Sequence, residues 1–399
     1  MTKARNIAEL ANDISVDNNR DVTLSNLRSD QPMMFRNRII NGDMRIAQRG
    51  TSFTNIGSTG VSNYDAYPAD RFIYTNISSV AKISATNETT DVPSGFRNAS
   101  KIQVTTADSN PAANHYANLY YAVEAQDIVD LQYGSSGAKN LTFSFYAKAS
   151  SSAAGTYQYN FLNNNAGRMI ARTFTVTDSW QKFIMYIPGD TDASGVIPND
   201  TSAGFRIILQ LDSGANQTGG TTPTNWSTAN LADRGVGTDV SFLSNTSNEF
   251  YITGVQLEEG TVPTPFEHRP YGIELSLCQR YAIMFGNNTV DATVDGGHLA
   301  LGWIDTIDNF AGMIFLPTTM RERPVLTASG TNNFEIAYTD LSVSTVSGKD
   351  ISQIQHLTTK NLVFFSISSG QTNQHRQQPA SFRYLANSIT DDFLLESEI

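Results

Sequence analysis

The feature that most restricts the fold of this chain is a repeated alternation of apolar and polar side chains. In residues 141–148 every second side chain is apolar, and residues 205–211 repeat the pattern with Arg206 and Gln210 at intervening positions. Successive side chains of a β-strand point to opposite faces, so this spacing predicts strands with one buried face. The predicted inward set is Leu141, Phe143, Phe145, Ala147, Tyr157, Tyr159, Phe161, Phe205, Ile207, Leu209 and Leu211. We therefore predict an all-β chain whose main body is an antiparallel jelly-roll sandwich.

The composition agrees with this fold class and excludes several functions. Charged residues make up 16% of the chain, below the roughly 25% of typical soluble domains. A net charge of −11 argues against binding nucleic acid or an anionic membrane surface, since both attract Lys and Arg. No apolar run approaches the ~18 residues of a membrane span, and no secretory signal follows Met1, so we expect synthesis in a cytoplasm. A single cysteine, Cys278, excludes an intrachain disulfide.

Two longer phrases bracket the main run of predicted strands. The first covers residues 36–50, where Asn41-Gly42 interrupts an alternating run in the way typical of a strand entering a tight turn. It is followed by Ala69-Asp70-Arg71-Phe72. The second phrase comprises Ile252-Thr253-Gly254-Val255-Gln256-Leu257-Glu258-Glu259-Gly260, Thr264-Pro265-Phe266-Glu267, Arg269-Pro270-Tyr271-Gly272 and Cys278-Gln279-Arg280-Tyr281.

Together these phrases resemble the opening strand, and the closing strand with its exit helix, of the jelly-roll modules in bacteriophage tail fibres and other virion appendages. These modules are similar to carbohydrate-binding modules. The resemblance implies a homotrimeric structural protein of the virion, a tail fibre that adsorbs to a glycan on the host surface. A head fibre or capsid decoration with the same module, and a free non-catalytic lectin, are the alternatives.

The chain is predicted to divide into four segments. They are a virion anchor at 1–35, the jelly roll at 36–270, a linker helix at 271–285 and a distal β domain at 286–399. In the linker, Leu277, Tyr281 and Met284 recur at helical spacing, and Cys278 beside them is predicted to be buried.

The anchor assignment depends on one apolar stripe. Ile7, Leu10, Ala11 and Ile14 fall at i, i+3, i+4 and i+7, which predicts a short amphipathic helix. A helix of about three turns is marginal alone in water, so we expect it to dock on a partner. The resemblance makes that partner another virion protein, whereas a terminus packing on its own domain is the alternative.

The sequence shows no local catalytic motif. There is no nucleophile elbow, zinc-binding helix motif or phosphate-binding glycine loop. Glu258 and Glu259 are adjacent on a predicted strand and point to opposite faces, so they cannot form the opposed pair that glycoside hydrolysis requires. We predict no enzymatic activity and no cofactor. Because many carbohydrate-binding jelly rolls hold a structural calcium ion, Asp43 is kept as the one metal candidate, although Thr253-Gly254 stand where those modules usually show acidic residues.

The predicted receptor contacts lie mainly in a distal loop. Residues 368–378 carry no apolar side chain and lie between two apolar strands, which is typical of a loop tip. Gln371, Asn373, His375 and Arg376 there could bond to hydroxyl or carboxylate groups of a host polysaccharide. A solvated loop without a ligand is the alternative.

The aromatic side chains give less specific predictions. Trp226 lies in a Thr- and Pro-containing loop and is either a further receptor contact or structural packing. Trp180 and Trp303 are predicted to be in the core. Tyr120 and Tyr121 are neighbours on one strand, so one of them is predicted to face outward.

Overall fold

A computed structural model describes residues 14–16, 22–24, 35–57, 65–286, 298–306, 309–328, 334–338, 343–346, 351–353, 358–368, 379–384 and 392–398. Within these ranges the chain is built of antiparallel strands with one α-helix, which confirms the predicted all-β fold class. None of the helical segments in these ranges has the length and apolarity needed to cross a membrane.

The first described residues form a two-stranded hairpin. Strand β1 (Ile14–Val16) pairs with β2 (Val22–Leu24), and Ile14 lies opposite Leu24. The last residue of the predicted helical stripe is therefore in a strand, as suits a β-branched side chain. Ile7, Leu10 and Ala11 lie outside the described residues, so the anchor stays a prediction.

The body is a sandwich of two antiparallel sheets. Its strands are β3 (Ser52–Ile56), β4 (Asp65–Ala69), β5 (Phe72–Ile77), β6 (Lys82–Glu88), β7 (Ala99–Thr106), β8 (Tyr116–Glu124), β9 (Leu141–Ala149), β10 (Gly155–Asn163), β11 (Arg168–Val176), β12 (Gln181–Ile187), β13 (Ala203–Ser213), β14 (Ser227–Thr228) and β15 (Glu249–Glu259). The seven-stranded sheet has the order β14-β11-β10-β13-β8-β5-β4, and the six-stranded sheet the order β12-β9-β15-β7-β6-β3. The chain passes repeatedly from one sheet to the other, as in a jelly roll.

Short 3-10 helices lie in the connections of the body. They span Ala125–Asp127, Val129–Leu131, Ser151–Ala153, Ala193–Gly195, Ala215–Gln217, Leu231–Asp233 and Phe242–Ser244.

The body core lies between the two sheets and contains every side chain that the alternation placed inward. Phe143 of β9 meets Tyr159 and Phe161 of β10, with ring centroids 5.0 and 5.2 Å apart. Edge-to-face ring pairs of this kind stabilise a core by ~0.5–1.5 kcal/mol beyond the burial of their area. The prediction of the inward face is confirmed for all of these strands.

The two phrases that bracket the body in sequence also touch in space. The opening segment (residues 35–50) receives hydrogen bonds from the closing segment (residues 264–281): Arg269 Nη1 donates to the Ile39 carbonyl at 3.2 Å. In the other direction, the Asn37 amide donates to Glu267 at 3.0 Å. Arg269 also pairs with Glu274 at 3.2 Å, and both side chains are buried. A buried polar network thus joins the beginning and the end of the sandwich.

The exit helix is shorter than predicted. Helix α1 (Tyr271–Gln279) is followed at once by strand β16 (Ala282–Gly286), so Tyr281 and Met284 are not helical. The prediction of a helix over residues 271–285 is wrong beyond Gln279. The prediction that Cys278 is buried is confirmed, since its side chain is inaccessible.

The residues that follow the helix are held by charges of the body. The Arg280 guanidinium makes two bonds to the Glu124 carboxylate, at 2.7 and 2.8 Å. Tyr281 lies beneath the Arg71 guanidinium, whose carbon is 3.4 Å from the ring centroid. These contacts turn the chain out of the helix, because a continued helix would carry both side chains away from their partners.

A cluster of charges holds residues 396–398 against the body. We call it the junction cluster, and its members are Arg49, Asp70, Arg71, Glu396 and Glu398. Glu398 accepts from Arg49 Nη2 at 2.8 Å and, through its other oxygen, from Arg71 Nη1. Burial raises the pKa of Glu398, but Arg71 and Arg49 lower it by more, so the net pKa lies below the usual value of a glutamate.

The distal part contains two further antiparallel sheets. Its remaining strands are β17 (His298–Thr306), β18 (Asn309–Phe315), β19 (Val325–Ala328), β20 (Phe334–Tyr338), β21 (Val343–Val346), β22 (Ile351–Gln353), β23 (Leu362–Ser368), β24 (Pro379–Tyr384) and β25 (Asp392–Glu396). One sheet has the order β16-β25-β19 and the other β21-β20-β24-β17-β18-β23-β22.

The prediction that Trp303 is a core residue is wrong. Trp303 is 40% exposed and its neighbour Leu301 is 70% exposed, so these two side chains of β17 face outward. The inward face meets the Phe310 ring, and a Cβ added at Gly302 or Gly312 would lie 2.7 or 2.5 Å from that ring. A side chain at Gly302 would meet the Ala311 carbonyl even before the ring, so backbone and ring together keep this position small.

Candidate functional site

Trp226 packs against the body. Its ring stacks on Phe205 with centroids 5.8 Å apart and meets Tyr133 edge-on at 5.7 Å. Its indole Nε1 donates to the Pro188 carbonyl at 2.7 Å. The structure thus shows the packing interactions of Trp226, and its role as a receptor contact stays a prediction.

Trp180 differs from its prediction as a core residue. It is half-buried, and its Nε1 donates to Asp91 at 3.1 Å. Its ring meets Tyr251 edge-on, and Lys148 lies over both rings. The polar indole nitrogen and the lysine explain this place at the rim of the sheet rather than between the sheets.

The other predicted receptor contacts lie outside the described residues. Gln371, Asn373, His375 and Arg376 fall between strands β23 and β24. These two strands are separated in the sheet by β17 and β18, so they do not form a hairpin with each other.

The surroundings of Asp43 do not suit calcium. Its carboxylate lies 3.2 Å from Arg45 Nε and 3.9 Å from His268 Nδ1, so a guanidinium and an imidazole occupy its vicinity. Burial raises the pKa of Asp43, an effect that Arg45 and His268 oppose. No group of three metal-binding side chains occurs within the described ranges. A calcium site needs several converging oxygen ligands, and Asp43 has instead a guanidinium partner.

The structure brings together a different set of residues, in a cleft of about 380 Å³ on the outer face of the seven-stranded sheet. We call it the sheet cleft. Register explains how it forms: Asn118 of β8 lies opposite Gln210 of β13, and Tyr120 lies opposite Ile208. On the other side of β8, Thr75 of β5 lies opposite Asn118. Alternate residues of three adjacent strands therefore line one surface.

Two tyrosines, Tyr116 and Tyr120, and two arginines, Arg206 and Arg234, also line the sheet cleft. Tyr121 points the other way and is buried beneath the sheet, which confirms that one member of the Tyr120–Tyr121 pair faces outward. Aromatic rings beside amides and guanidinium groups suit a saccharide, whose C–H face packs on a ring while its hydroxyls form hydrogen bonds.

A short loop closes one side of the sheet cleft. Leu231 and Arg234 are supplied by the 3-10 helix Leu231–Asp233 and the residue after it. The Arg234 carbonyl accepts from Asn160 at 2.8 Å and from Gln158 at 3.1 Å, and both amides are fully buried. This attachment to β10 fixes the height of Arg234 above the sheet.

Several polar atoms in the wall of the sheet cleft are buried without a hydrogen-bond partner among the described residues. They are Asn118 Oδ1, Arg206 Nε, Gln210 Oε1 and Arg234 Nε. The nitrogen of Gln210 donates to Asp212 and Gln217 at 2.9 and 3.1 Å, so its oxygen is left as an acceptor. An unpaired buried polar group costs ~1–3 kcal/mol. They make the wall of the sheet cleft polar beside its two tyrosine rings.

The sheet cleft has no acid–base pair. Its described lining contains no Asp, Glu or His, whereas glycoside hydrolysis uses two carboxyl groups. The geometry is that of a binding surface.

The sequence contained part of this site. Alternation places Arg206 and Gln210 on the face opposite the core and makes one of the two tyrosines outward-facing, but local pattern does not show that β8 and β13 are paired. No sequence pattern indicates that Arg234 belongs to the site. Its position depends on hydrogen bonds from Gln158 and Asn160, which lie more than seventy residues earlier in the chain.

No known protein family's profile matches this chain. No curated protein matches it either. Solved structures similar to parts of it include carbohydrate-binding modules and a phage tailspike domain.

The CBM4 structure is 15% identical, covers 55% of this chain and 98% of its own, and superposes with a TM-score of 0.27. The family 11 carbohydrate-binding module of Lic26A-Cel5E from Clostridium thermocellum is 13% identical over 52% of this chain and 99% of its own, with a TM-score of 0.27. The enzymatically active domain of tailspike protein 4 from bacteriophage CBA120 is 12% identical over 56% of this chain and 22% of its own, with a TM-score of 0.30.

Proposed function

We propose that this chain is a glycan-binding structural protein of a virion, a bacteriophage tail fibre whose sheet cleft holds a polysaccharide of the host surface. The observation that carries the proposal is the sheet cleft itself, with two tyrosines, amide groups and the Arg206 guanidinium on one sheet and Arg234 on the loop beside it. The resemblance of the opening and closing segments to phage appendage modules supports the virion assignment.

The protein acts by binding alone. A saccharide would rest on the rings of Tyr116 and Tyr120, while the Asn118 amide and the Arg206 guanidinium donate to its oxygen atoms. Because these side chains come from paired strands, they keep their spacing without a ligand, and little ordering entropy is lost on binding.

The proposed assembly is a homotrimer with the N-terminal segment toward the particle. The outer face of β17 and β18 supports self-association: Leu301 and Phe315 are 70% and 75% exposed and line an apolar groove of about 520 Å³ with Trp303. Contiguous exposed apolar surface of this kind marks an interaction site.

The test is binding of the labelled full-length protein to an array of bacterial surface polysaccharides and to susceptible cells. Tyr120→Ala should lower affinity at least about tenfold. Tyr186→Ala is the matched control, since Tyr186 is an exposed tyrosine of β12 in the other sheet. Binding that is equal in both variants, or absent for the unaltered protein, would remove the sheet cleft from function.

A further inference from the structure

The two arginines of the sheet cleft lack the carboxylate partner that most arginines of the described body have. Arg172 and Arg97 also lack one, but Arg172 donates to the carbonyls of Tyr186, Ala171 and Thr224, and Arg97 is exposed. Eight arginines of the described residues form ion pairs with carboxylates, namely Arg36, Arg38, Arg45, Arg49, Arg71, Arg168, Arg269 and Arg280. Arg206 and Arg234 form none within the same residues, although both are half-buried and the chain carries a net charge of −11. A chain rich in carboxylates thus leaves two adjacent guanidinium groups without one.

The acidic residues nearest to this pair in sequence have other partners. Asp212 is buried, 2.9 Å from His115 Nε2, and accepts from the Leu243 amide at 2.6 Å. Asp233 accepts from the Thr221 amide at 2.8 Å. Neither carboxylate forms an ion pair with Arg206 or Arg234 within the described residues.

The two guanidinium groups also disfavour each other. Burial lowers the pKa of Arg234, Tyr116 raises it, and the charge of Arg206 lowers it further, with a net pKa below the usual value. A fold gains nothing from holding two like charges together beside unpaired amides. An anion between them would neutralise both charges and supply acceptors that each planar guanidinium can bind through two N–H groups.

We infer that the ligand of the sheet cleft is an acidic saccharide, whose carboxylate or phosphate group is held between Arg206 and Arg234 while its sugar ring packs on Tyr116 and Tyr120. This inference rests on the proposed function, because it names the chemical class of the glycan. Carboxylate and phosphate share the required chemistry, a compact anion with several acceptor oxygens. The experiment separates them.

The experiment compares matched acidic and neutral probes on the full-length protein by calorimetry. One arm uses oligogalacturonate against the corresponding galactose oligomer, and the other uses glucose 6-phosphate against glucose. In at least one arm the acidic probe should bind about tenfold more tightly, which corresponds to ~1.4 kcal/mol. The arm that shows the preference identifies the anion.

Three variants assign the preference to its residues. Arg206→Gln and Arg234→Gln should each reduce the ratio of acidic to neutral affinity, and the double variant should abolish the acidic preference. Arg97→Gln is the control, since Arg97 is exposed and lies outside the cleft. Thermal unfolding confirms that each variant is folded.

The outcomes distinguish failure of the inference from failure of the proposed function. Equal affinity for acidic and neutral probes, or a preference that survives in the double variant, overturns the inference. If neutral probes still bind in a way that Tyr120→Ala abolishes, the proposed function stands without it. If no probe and no array polysaccharide binds the cleft, both are wrong.

Discussion

The junction cluster makes a sharp prediction about Glu398. In Glu398→Gln the carboxylate that faces both Arg49 and Arg71 loses its charge. Arg49 keeps Glu396 at 2.8 Å and Asp70 at 3.7 Å, so it remains paired. Arg71, which is 1% exposed, keeps only the Ala122 carbonyl at 2.6 Å and the rings of Tyr281 and Tyr121. The variant therefore isolates one buried cation.

The magnitude follows from that isolation. Removing one partner of a buried ion pair costs ~3–5 kcal/mol. Glutamine still offers one acceptor oxygen to Arg71, so we expect the low end, about 3 kcal/mol for release of residues 396–398 from the body. Such a change multiplies the opening equilibrium by roughly a hundred, since each ~1.4 kcal/mol is a factor of ten.

Hydrogen exchange measured by mass spectrometry reports this opening directly. The Ser397 amide donates to the Tyr281 carbonyl at 2.7 Å, and the Arg321 amide to the Arg280 carbonyl at 2.8 Å, so both should exchange faster in the variant. Glu396→Gln is the control. Glu396 is 34% exposed and its partner Arg49 has two other carboxylates, so its loss should cost less than ~1 kcal/mol.

The pH dependence gives a second check. The pKa of Glu398 in the folded protein lies below its usual value, so its contribution is complete above the pKa of an unfolded glutamate and disappears as pH falls through the folded pKa. The increase in amide exchange caused by Glu398→Gln should be largest at neutral pH and should shrink in acid. Unchanged exchange at neutral pH, or a deficit that persists undiminished in acid, would refute the role of the charge.

Three further predictions concern assembly and recognition. Light scattering should give the mass of a trimer, and Phe315→Asp should weaken the trimer. The control Val262→Asp, at a position of the body that is 55% exposed, should leave the trimer intact. A stable monomer at micromolar concentration would contradict the assembly. Removing residues 1–34 should leave a folded body, because the contacts of the opening segment begin with the Phe35 amide, which donates to Glu267 at 2.5 Å. The same truncation should abolish incorporation into particles. Normal incorporation would contradict the anchor. Replacing His375 and Arg376 by Ala should change stability by no more than about 0.5 kcal/mol and lower cell binding several-fold, whereas unchanged binding would leave recognition to the sheet cleft.

The sequence was sufficient where one face of a strand is wholly apolar. Phe205, Ile207 and Leu209 could be assigned to the core because their neighbours Arg206 and Gln210 are polar. In β17 both faces are apolar or small, and alternation alone does not say which is inward. The crowding of Gly302 by the Ala311 carbonyl and the Phe310 ring comes from the neighbouring strand β18, so it is a tertiary property.

The helix end and the site were hidden for a similar reason. The helical period continued past Gln279 in the sequence, but Arg280 and Tyr281 are held by Glu124 and Arg71, which lie far earlier in the chain. Likewise the sheet cleft joins strands that pair only after folding. Local pattern predicted the elements, and long-range pairing determined which side chains meet.

Strand β8 has a mechanical consequence. Its first half lines the sheet cleft through Tyr116 and Tyr120, and its last residue, Glu124, holds Arg280 just beyond the exit helix. At ~3.3 Å per residue these ends are about 26 Å apart. A tensile load between a tethered ligand and the distal part would run along β8 and stress its hydrogen bonds to β5 and β13 in shear, so that many must break together rather than one after another.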